Sequence, residues 1–280
     1  MSTADIIFKD MCQDILDNGT DTRGEKVRPH WEDGTAAYTI KKFGVVNRYD
    51  LREEFPIMTF RKTGFKNAID EILWIWQKKS NNIKDLSSHI WDSWADENGS
   101  IGKAYGYQLG VKHKYKEGEM DQVDRVLYDL KNNPYSRRIM TNIYTHADLF
   151  EMNLYPCAYS MTFNVTADAD GSLVLNAVLN QRSSDVLTAN NWNVVQYAVL
   201  MHMLAQCCNM KAGELVHMIA DCHIYDRHVE LVKELIQRPA YPAPEFIMNP
   251  EKKDFYSFRV EDFELKNYKT GEQIKIPVAI

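Results

Sequence analysis

The chain has 280 residues, of which 45% are hydrophobic and 26% are charged, and its formal net charge is −6. These values are ordinary for a soluble globular protein that is long enough to bury one sizeable core. The acidic balance disfavours a protein that coats nucleic acid, because such proteins usually carry a basic excess.

The cysteines and the apolar segments exclude further classes. Five cysteines, one of them Cys157, follow no disulfide framework and form no C-x-x-C pair, so we expect no metal site. The N-terminus lacks the apolar core of a signal peptide, and polar residues interrupt the longest apolar run, 194–208, which is too short for a membrane span. We therefore expect a cytoplasmic protein with reduced thiols.

Two helices are predicted from hydrophobic periodicity. Residues 65–78 carry apolar side chains at i, i+3, i+4 and i+7, which is typical of a helix with one buried face. Glu71 falls on the flank of that face, so we expect its carboxylate to be half-drawn into the core. Residues 192–208 are apolar nearly all round and predict a central helix. Asn193, at its start, is either a helix cap or a buried amide that reads the edge of a base.

The segments between these helices predict strands and one charged surface segment, 111–122. Alternating side chains predict strands over 137–145, 160–166 and 172–183, with a turn at 168–171. Helices and strands mix without a regular βαβ rhythm, which favours an α+β fold with a mixed β-sheet flanked by helices. Because no repeat or linker interrupts the chain, we expect a single domain over residues 1–280.

The predicted hairpin gives Cys157 a cationic neighbour. If the turn is centred between Ala169 and Asp170, Cys157 lies opposite Arg182, although a bulge would shift this pairing by one residue. A guanidinium beside a thiol stabilises the thiolate and lowers the cysteine pKa. This favours a nucleophilic Cys157 over the alternative, a small buried hydrophobic residue at the edge of a strand.

Other polar and aromatic residues permit both a structural and a functional interpretation. Arg137 and Arg138 start a predicted strand and point to opposite faces, which is typical of a solvated strand end. With Arg182 and Ser183, however, the chain has donors enough for a phosphate. Trp91 and Trp94 are spaced to share one face of a helix and could form an aromatic wall. His223 and Tyr225 are spaced to share one face of a strand and could bind a sugar.

Several motifs occur together and in a fixed order. They are "DEILWIW", "IWDSWADENGSIGKAYGYQ", "NPYSRRIM", "DLFEMNLYPC", "LNQRSSDV", "DCHIYDRH" and the terminal "KIPVAI". On these motifs the chain closely resembles the folate-dependent thymidylate synthases from about residue 20 onwards. The resemblance implies reductive methylation of dUMP to dTMP, with 5,10-methylenetetrahydrofolate as co-substrate and dihydrofolate as the second product. It also implies a homodimer whose subunits pack sheet against sheet, and it implies no metal.

The resemblance further implies roles for individual residues. Cys157 adds to C6 of the uracil, Glu71 organises proton transfer, and Asn193 reads O4 and N3. The other nucleotide contacts implied are Arg23, Arg182, Ser183, Asp185, His223, Tyr225 and, from the partner subunit, Arg137 and Arg138. The resemblance also implies residues that contact the folate or lie at the reaction centre, namely Arg61, Trp91, Trp94, Tyr105, Asp185 and Ile280.

The sequence departs from the usual pattern of this family near the reaction centre. Ala158 stands where a histidine usually follows the nucleophile, which removes one element of the water network near the base. The segment "ANNWN" (189–193) replaces "GLPFN", and "DTRGEKVR" (21–28) replaces the usual Arg-Thr-Gly loop, so the motif around Arg23 differs from that of the family.

Three rival functions remain open at this stage. A dUMP or dCMP hydroxymethylase uses the same scaffold, but Asn193 argues for uracil and Trp91 argues for reduction. A thiol hydrolase would pair Cys157 with His223 and would leave the arginines unexplained. A nucleotide-binding or RNA-binding regulator would bind dUMP without consuming folate. RNA binding as a second activity is left open and is not predicted.

Overall fold

The centre of the molecule is a six-stranded β-sheet, seen in a computed structural model that describes all residues from 1 to 280. The order across this sheet is β1-β2-β8-β7-β6-β5, while β3-β4 and β9-β10 form two separate ribbons. The strands are β1 (Thr20–Asp21), β2 (Thr39–Asp50), β3 (His113–Tyr115), β4 (Gly118–Met120), β5 (Met140–Asn142), β6 (Ala158–Ala167), β7 (Leu173–Asp185), β8 (Lys211–Tyr225), β9 (Glu245–Met248) and β10 (Phe263–Lys266).

Helices flank the sheet, and one of them sets its mixed character. They are α1 (Thr3–Asn18), α2 (Phe65–Trp76), α3 (Gly106–Gly110), α4 (Gln122–Asn132), α5 (Asn191–Cys207) and α6 (Val229–Leu235). Neighbouring strands of the large sheet are antiparallel, except that β7 and β8 are parallel. Parallel neighbours need a crossover, and α5 supplies it. The predicted α+β class with a mixed sheet is confirmed. No helix combines the length and the apolar character that crossing a membrane requires.

Helices α2 and α5 lie in the main core and position two of the predicted site residues. Helix α2 is buried at every position from Ala68 to Trp76, so Glu71 lies inside the core and not half-drawn into it as expected. Helix α5 is buried along most of its length, as predicted. It begins at Asn191, after a π-helical turn whose N–H groups Asp185 caps. The alternative that Asn193 is a helix cap is therefore wrong.

The β6-β7 hairpin brings Cys157 to Arg182 in a register that differs in part from the predicted one. Met161 pairs with Leu179, one residue away from the predicted register, and a bulge after Ala158 shifts the pairing back. Beyond the bulge, the Arg182 N–H donates to the Cys157 carbonyl at 2.9 Å. The predicted neighbourhood is thus correct at the cysteine, although the register of the hairpin body differs.

Two predicted segments differ from the structure. The strand expected over 137–145 shrinks to β5, because residues 134–138 form turns and only Met140–Asn142 pair with β6. Arg137 and Arg138 lie in these turns and are exposed, so the argument from opposite strand faces does not apply to them. The surface segment 111–122 contains the β3-β4 ribbon and also a buried residue, Asp121, which caps α4.

Candidate active site

Cys157 lies directly before β6 and is held beside a guanidinium. Arg182 Nη2 lies 3.5 Å from Cys157 Sγ. The same side chain donates to the carbonyls of Tyr155, at 2.7 Å, and Pro156, at 2.9 Å. On the other side, the Cys157 N–H donates to the Tyr105 hydroxyl at 3.1 Å. The peptide before the cysteine therefore fixes the cation that faces the thiol.

The electrostatics of the thiol differ from the sequence-based expectation. Burial raises the pKa of Cys157, and this effect outweighs the lowering by Arg182, by a hydrogen bond with Tyr105 and by the charge of Arg28. The expected net decrease of the pKa is therefore wrong for the chain without substrate. Arg182 counteracts the cost of burial only in part, so the thiol is favoured over the thiolate until further positive charge or a base arrives.

Glu71 is a buried carboxyl group tuned to neutral pH. Its side chain on α2 is 5% exposed. Burial raises its pKa to about 7, and the neighbouring donor groups of Trp192, Gln196 and Trp91 limit the increase. Among them, Trp192 Nε1 donates a hydrogen bond to Glu71 Oε2 at 2.8 Å. A carboxyl group with this pKa both accepts and releases protons under physiological conditions.

A chain of side-chain hydrogen bonds orients Asn193. Gln181 Nε2 donates to Asn193 Oδ1 at 3.1 Å, and Asn193 Nδ2 donates to Gln196 Oε1 at 3.0 Å. His217 Nε2 lies 2.6 Å from Gln181 Oε1. Because an amide oxygen can only accept, His217 Nε2 carries a hydrogen and donates it. Burial lowers the pKa of His217 to about 3, which keeps its ring neutral. Asn193 retains one free N–H and one free lone pair on its oxygen. It can therefore donate to an acceptor and accept from a donor on the edge of a ring.

The two tryptophans of the predicted aromatic wall lie in a different local structure from the one expected, whereas the two predicted sugar contacts lie on a strand as expected. Trp91 and Trp94 lie at a 3-10 turn, Asp92–Trp94, and not on a longer helix, with ring centroids 5.7 Å apart. Trp91 is buried and also packs on Tyr105, at 5.0 Å, so core packing and a wall beside the site coexist. His223 and Tyr225 share one face of β8, as predicted, with ring centroids 5.1 Å apart.

Asp185 joins the end of β7 to this group. It pairs in register with His223 of β8. Burial raises its pKa, but the nearby His228 ring, whose Nδ1 lies 3.6 Å from Asp185 Oδ1, and a hydrogen bond from the Thr188 hydroxyl outweigh burial, so the pKa of Asp185 lies below its usual value. Asp185 is therefore an anionic acceptor, close to the two aromatic residues at the end of β8.

The arginines divide into those that the fold brings to Cys157 and those that it does not. Arg182 and Ser183 are adjacent on β7 and half-buried. Arg23 is exposed and forms an ion pair with Asp21. Arg28 was not among the predicted site residues, yet its charge counteracts the increase that burial causes in the pKa of both Cys157 and Tyr225. The only signal for it was a second arginine in the segment 21–28.

The C-terminal tail and Arg61 are each held by hydrogen bonds to the backbone of other segments. The backbone of Ile280 exchanges two hydrogen bonds with that of His30, at 2.8 and 2.9 Å. His228 Nε2 donates to the Pro277 carbonyl at 2.7 Å, which ties the tail to the end of β8. Arg61 is buried, donates to the Leu187 carbonyl at 2.5 Å, and has an Nε atom without a partner.

Arg137 and Arg138 are not brought to the site within one chain. Their side chains make no hydrogen bond or ion pair with any residue of the chain. The structure also contains no group of three or more His, Cys, Asp or Glu side chains arranged to hold a metal ion.

Comparisons with known proteins agree over nearly the whole chain. The family model described as thymidylate synthase matches residues 6–280. Thymidylate synthases of Bacillus subtilis subsp. natto and of Bacillus phage phi3T are each 43% identical over 285 residues, covering 100% of this chain and of the relative. The solved structure of thermostable thymidylate synthase A from Bacillus subtilis superposes with a TM-score of 0.92 at 42% identity, covering 99% of each chain. The chain therefore belongs to the thymidylate synthase family.

Proposed function

We infer that the chain catalyses the reductive methylation of dUMP to dTMP. One observation carries the mechanism: Arg182 Nη2 lies 3.5 Å from Cys157 Sγ in a site that also holds Glu71, a carboxyl group whose pKa is about 7. The hydroxymethylase alternative has no support, because the matching family and the relatives described above are thymidylate synthases. Nothing in the site supports a thiol hydrolase in preference, since His223 is paired with Asp221.

The first chemical step we propose is addition of the Cys157 thiolate to C6 of the uracil. Carbon C5 is a poor nucleophile until this addition pushes an electron pair towards O4. Because burial favours the protonated thiol, the cation beside it has to stabilise the thiolate at the moment of attack. Arg182 is suited to this role, and with Ser183 and Arg28 it offers a positive environment for the nucleotide phosphate.

The second element is recognition of the ring edge by Asn193. Its free N–H can donate to O4, where negative charge develops, and its free lone pair can accept from N3–H. Gln181 and Gln196 occupy the remaining donor and acceptor sites of the amide, which favours this orientation. A cytosine ring would present an acceptor at N3 and a donor at C4, which matches the orientation poorly.

Proton transfer is the role we propose for Glu71. The C5 proton has to leave after the one-carbon transfer, and a group with a pKa of about 7 can take it and pass it on. Tyr105 is the hydroxyl next to this path, because it is bonded to the Cys157 N–H and feels the charge of Glu71. Asp185, His223 and Tyr225 are proposed as further nucleotide contacts, for which their shared position at the ends of β7 and β8 is the support.

The co-substrate we propose is 5,10-methylenetetrahydrofolate, which supplies both the one-carbon unit and the hydride when it is bound. The site offers matching chemistry, namely the paired indoles of Trp91 and Trp94 for a flat ring and the unpartnered Nε of buried Arg61 for an acceptor. We propose that the tail ending at Ile280 excludes water from the bound ligands, and its two backbone hydrogen bonds with His30 support this role. Arg23, paired with Asp21, has to leave that partner to reach a phosphate.

We also propose that the chain is one catalytic domain and acts as a homodimer. The outer face of the large sheet exposes Val46, Met140 and Met218 at 49%, 50% and 43%. An apolar sheet face of this kind is suited to a second sheet. Arg137 and Arg138 are free to complete the partner's phosphate site.

The shared site can be tested by mixing subunits. Mixing an Arg138→Ala subunit with a Cys157→Ser subunit should restore activity that neither variant has alone, and no recovery would reject the shared site.

We also propose a cytoplasmic location, because the five free cysteines suit a reducing compartment.

The test is the stoichiometry of the products. Purified protein is given dUMP and 5,10-methylenetetrahydrofolate, and dTMP and dihydrofolate are measured together. One dihydrofolate for each dTMP supports the proposed reaction. Loss of folate without dihydrofolate would indicate that water captures the one-carbon unit, and binding of dUMP without turnover would leave only a nucleotide-binding protein.

A further inference from the structure

Trp192 makes a contact with Glu71 that the proposed chemistry has not used. It is the second residue of α5, and its indole Nε1 lies 2.8 Å from Glu71 Oε2. The indole ring lies against the start of α2, since a Cβ added at Gly64 would be 3.1 Å from Trp192 Cζ3. The two helices therefore clamp the indole, and its N–H points at one carboxylate oxygen.

We propose that Trp192 is a positioning residue that holds Glu71 Oε2 as a permanent hydrogen-bond acceptor and thereby makes Oε1 the oxygen that takes and returns the proton. This inference rests on the proposed function, because it assigns an atom to the proton transfer of Glu71. An indole nitrogen can donate but cannot accept. The hydroxyl oxygen of a carboxylic acid is a weaker acceptor than its carbonyl oxygen, so the indole N–H favours the acid form of Glu71 that keeps Oε2 as the carbonyl oxygen and carries the proton on Oε1.

The surroundings of Glu71 explain why one donor matters. The groups that face it are Asp70 on α2, Gln196 and Tyr197 on α5, and Trp91 and Tyr105 from the intervening segments. None of them is cationic, and Asp70 disfavours the anion. Neutral donors are thus all that offsets the desolvation of the carboxylate, and Trp192 is the donor whose hydrogen bond to Glu71 measures 2.8 Å.

The sequence offers a conservative substitution that removes only this donor. The family pattern has phenylalanine at this position, so Trp192→Phe keeps an aromatic ring between α2 and α5 and removes the N–H. The matched control is Trp74→Phe, which removes another buried indole N–H, one that donates to the Asn82 carbonyl at 3.0 Å and not to Glu71. Both variants lose an indole hydrogen bond, and only one of them touches the proposed proton carrier.

The experiment measures kcat from about pH 5 to about pH 9 at saturating substrates. In Trp192→Phe the acid limb of the profile should move to higher pH by about one unit, so that activity on that limb falls about tenfold. The KM for dUMP should change little, and Trp74→Phe should keep the wild-type limb. An unmoved limb in Trp192→Phe, or an equal shift in Trp74→Phe, overturns the inference.

Two further measurements cover a misfolded variant and a failure of the proposed function. If Trp192→Phe does not fold, Gly64→Ala displaces the clamped ring while keeping the N–H, and a smaller shift in the same direction is expected; an unmoved limb overturns the inference. Without any substrate, the infrared carboxyl band of Glu71, identified against Glu71→Gln, should titrate at higher pH in Trp192→Phe. This shift in a protein that makes no dTMP would support the Trp192 contact and reject the proposed reaction.

Discussion

Removal of the guanidinium beside the thiol is the perturbation whose size follows most directly from the structure. At the 3.5 Å that separates Arg182 Nη2 from Cys157 Sγ, a full charge pair at an effective dielectric constant of about 20 attracts by about 5 kcal/mol. This value is an upper bound, since solvent reaches both half-buried side chains. Pairs in such contact shift a pKa by about 1 to 3 units. Arg182→Gln should therefore raise the already raised pKa of Cys157 by that amount.

The assay is the pH dependence of iodoacetamide alkylation at Cys157, followed on its peptide so that the other cysteines do not interfere. In Arg182→Gln the reaction should need a higher pH, by the same 1 to 3 units, in line with the loss of a neighbouring cation. Arg182→Lys is the matched control, because it keeps a charge but cannot bind the Tyr155 and Pro156 carbonyls and the thiol together. If Arg182→Gln is alkylated with the wild-type profile, the guanidinium does not set the thiol pKa, and the electrostatic reasoning is wrong.

Three further predictions concern other parts of the site. Glu71→Gln should lower kcat by about 10² to 10⁴ and abolish the limb near pH 7, while calorimetry still detects dUMP binding; retained turnover would remove Glu71 from the proton path. His217→Leu frees Gln181 and Asn193 to reorient, so kcat/KM for dUMP should fall by about tenfold. The ratio of kcat/KM for dUMP to that for dCMP should also fall, and an unchanged ratio would contradict the role of these hydrogen bonds in orienting Asn193. Deletion of Ile280 removes two backbone hydrogen bonds to His30, so the KM for folate should rise more than the KM for dUMP, and equal changes would contradict a role over the ligands.

The part of the site that could be predicted from the sequence is the part made by local structure. The hairpin places Cys157 next to Arg182 because strand pairing depends on residues close in sequence, and even there a bulge after Ala158 was needed to correct the register. The spacing of His223 and Tyr225 on β8 follows from strand geometry alone. The resemblance to the family supplied the roles that geometry of this kind cannot give.

The rest depends on contacts between residues far apart in sequence. The bond from Trp192 to Glu71 spans 121 residues, and no periodicity of either helix indicates it. The sign of the net pKa shift at Cys157 was predicted wrongly, because the hairpin reveals the cation but not the depth of burial that outweighs it. Arg28 was missed for a related reason, since only the folded loop brings its charge to Cys157 and Tyr225.

The central claim is that Cys157 is the nucleophile of a dUMP-methylating site. The most direct test compares Cys157→Ser with Cys208→Ser in the assay that measures dTMP and dihydrofolate together. Cys208 is a suitable control because it is a half-buried free cysteine at the end of α5. We predict that Cys157→Ser forms neither product although it still binds dUMP, and that Cys208→Ser forms both in equal amounts. Equal product formation by Cys157→Ser and the wild-type chain would contradict the claim.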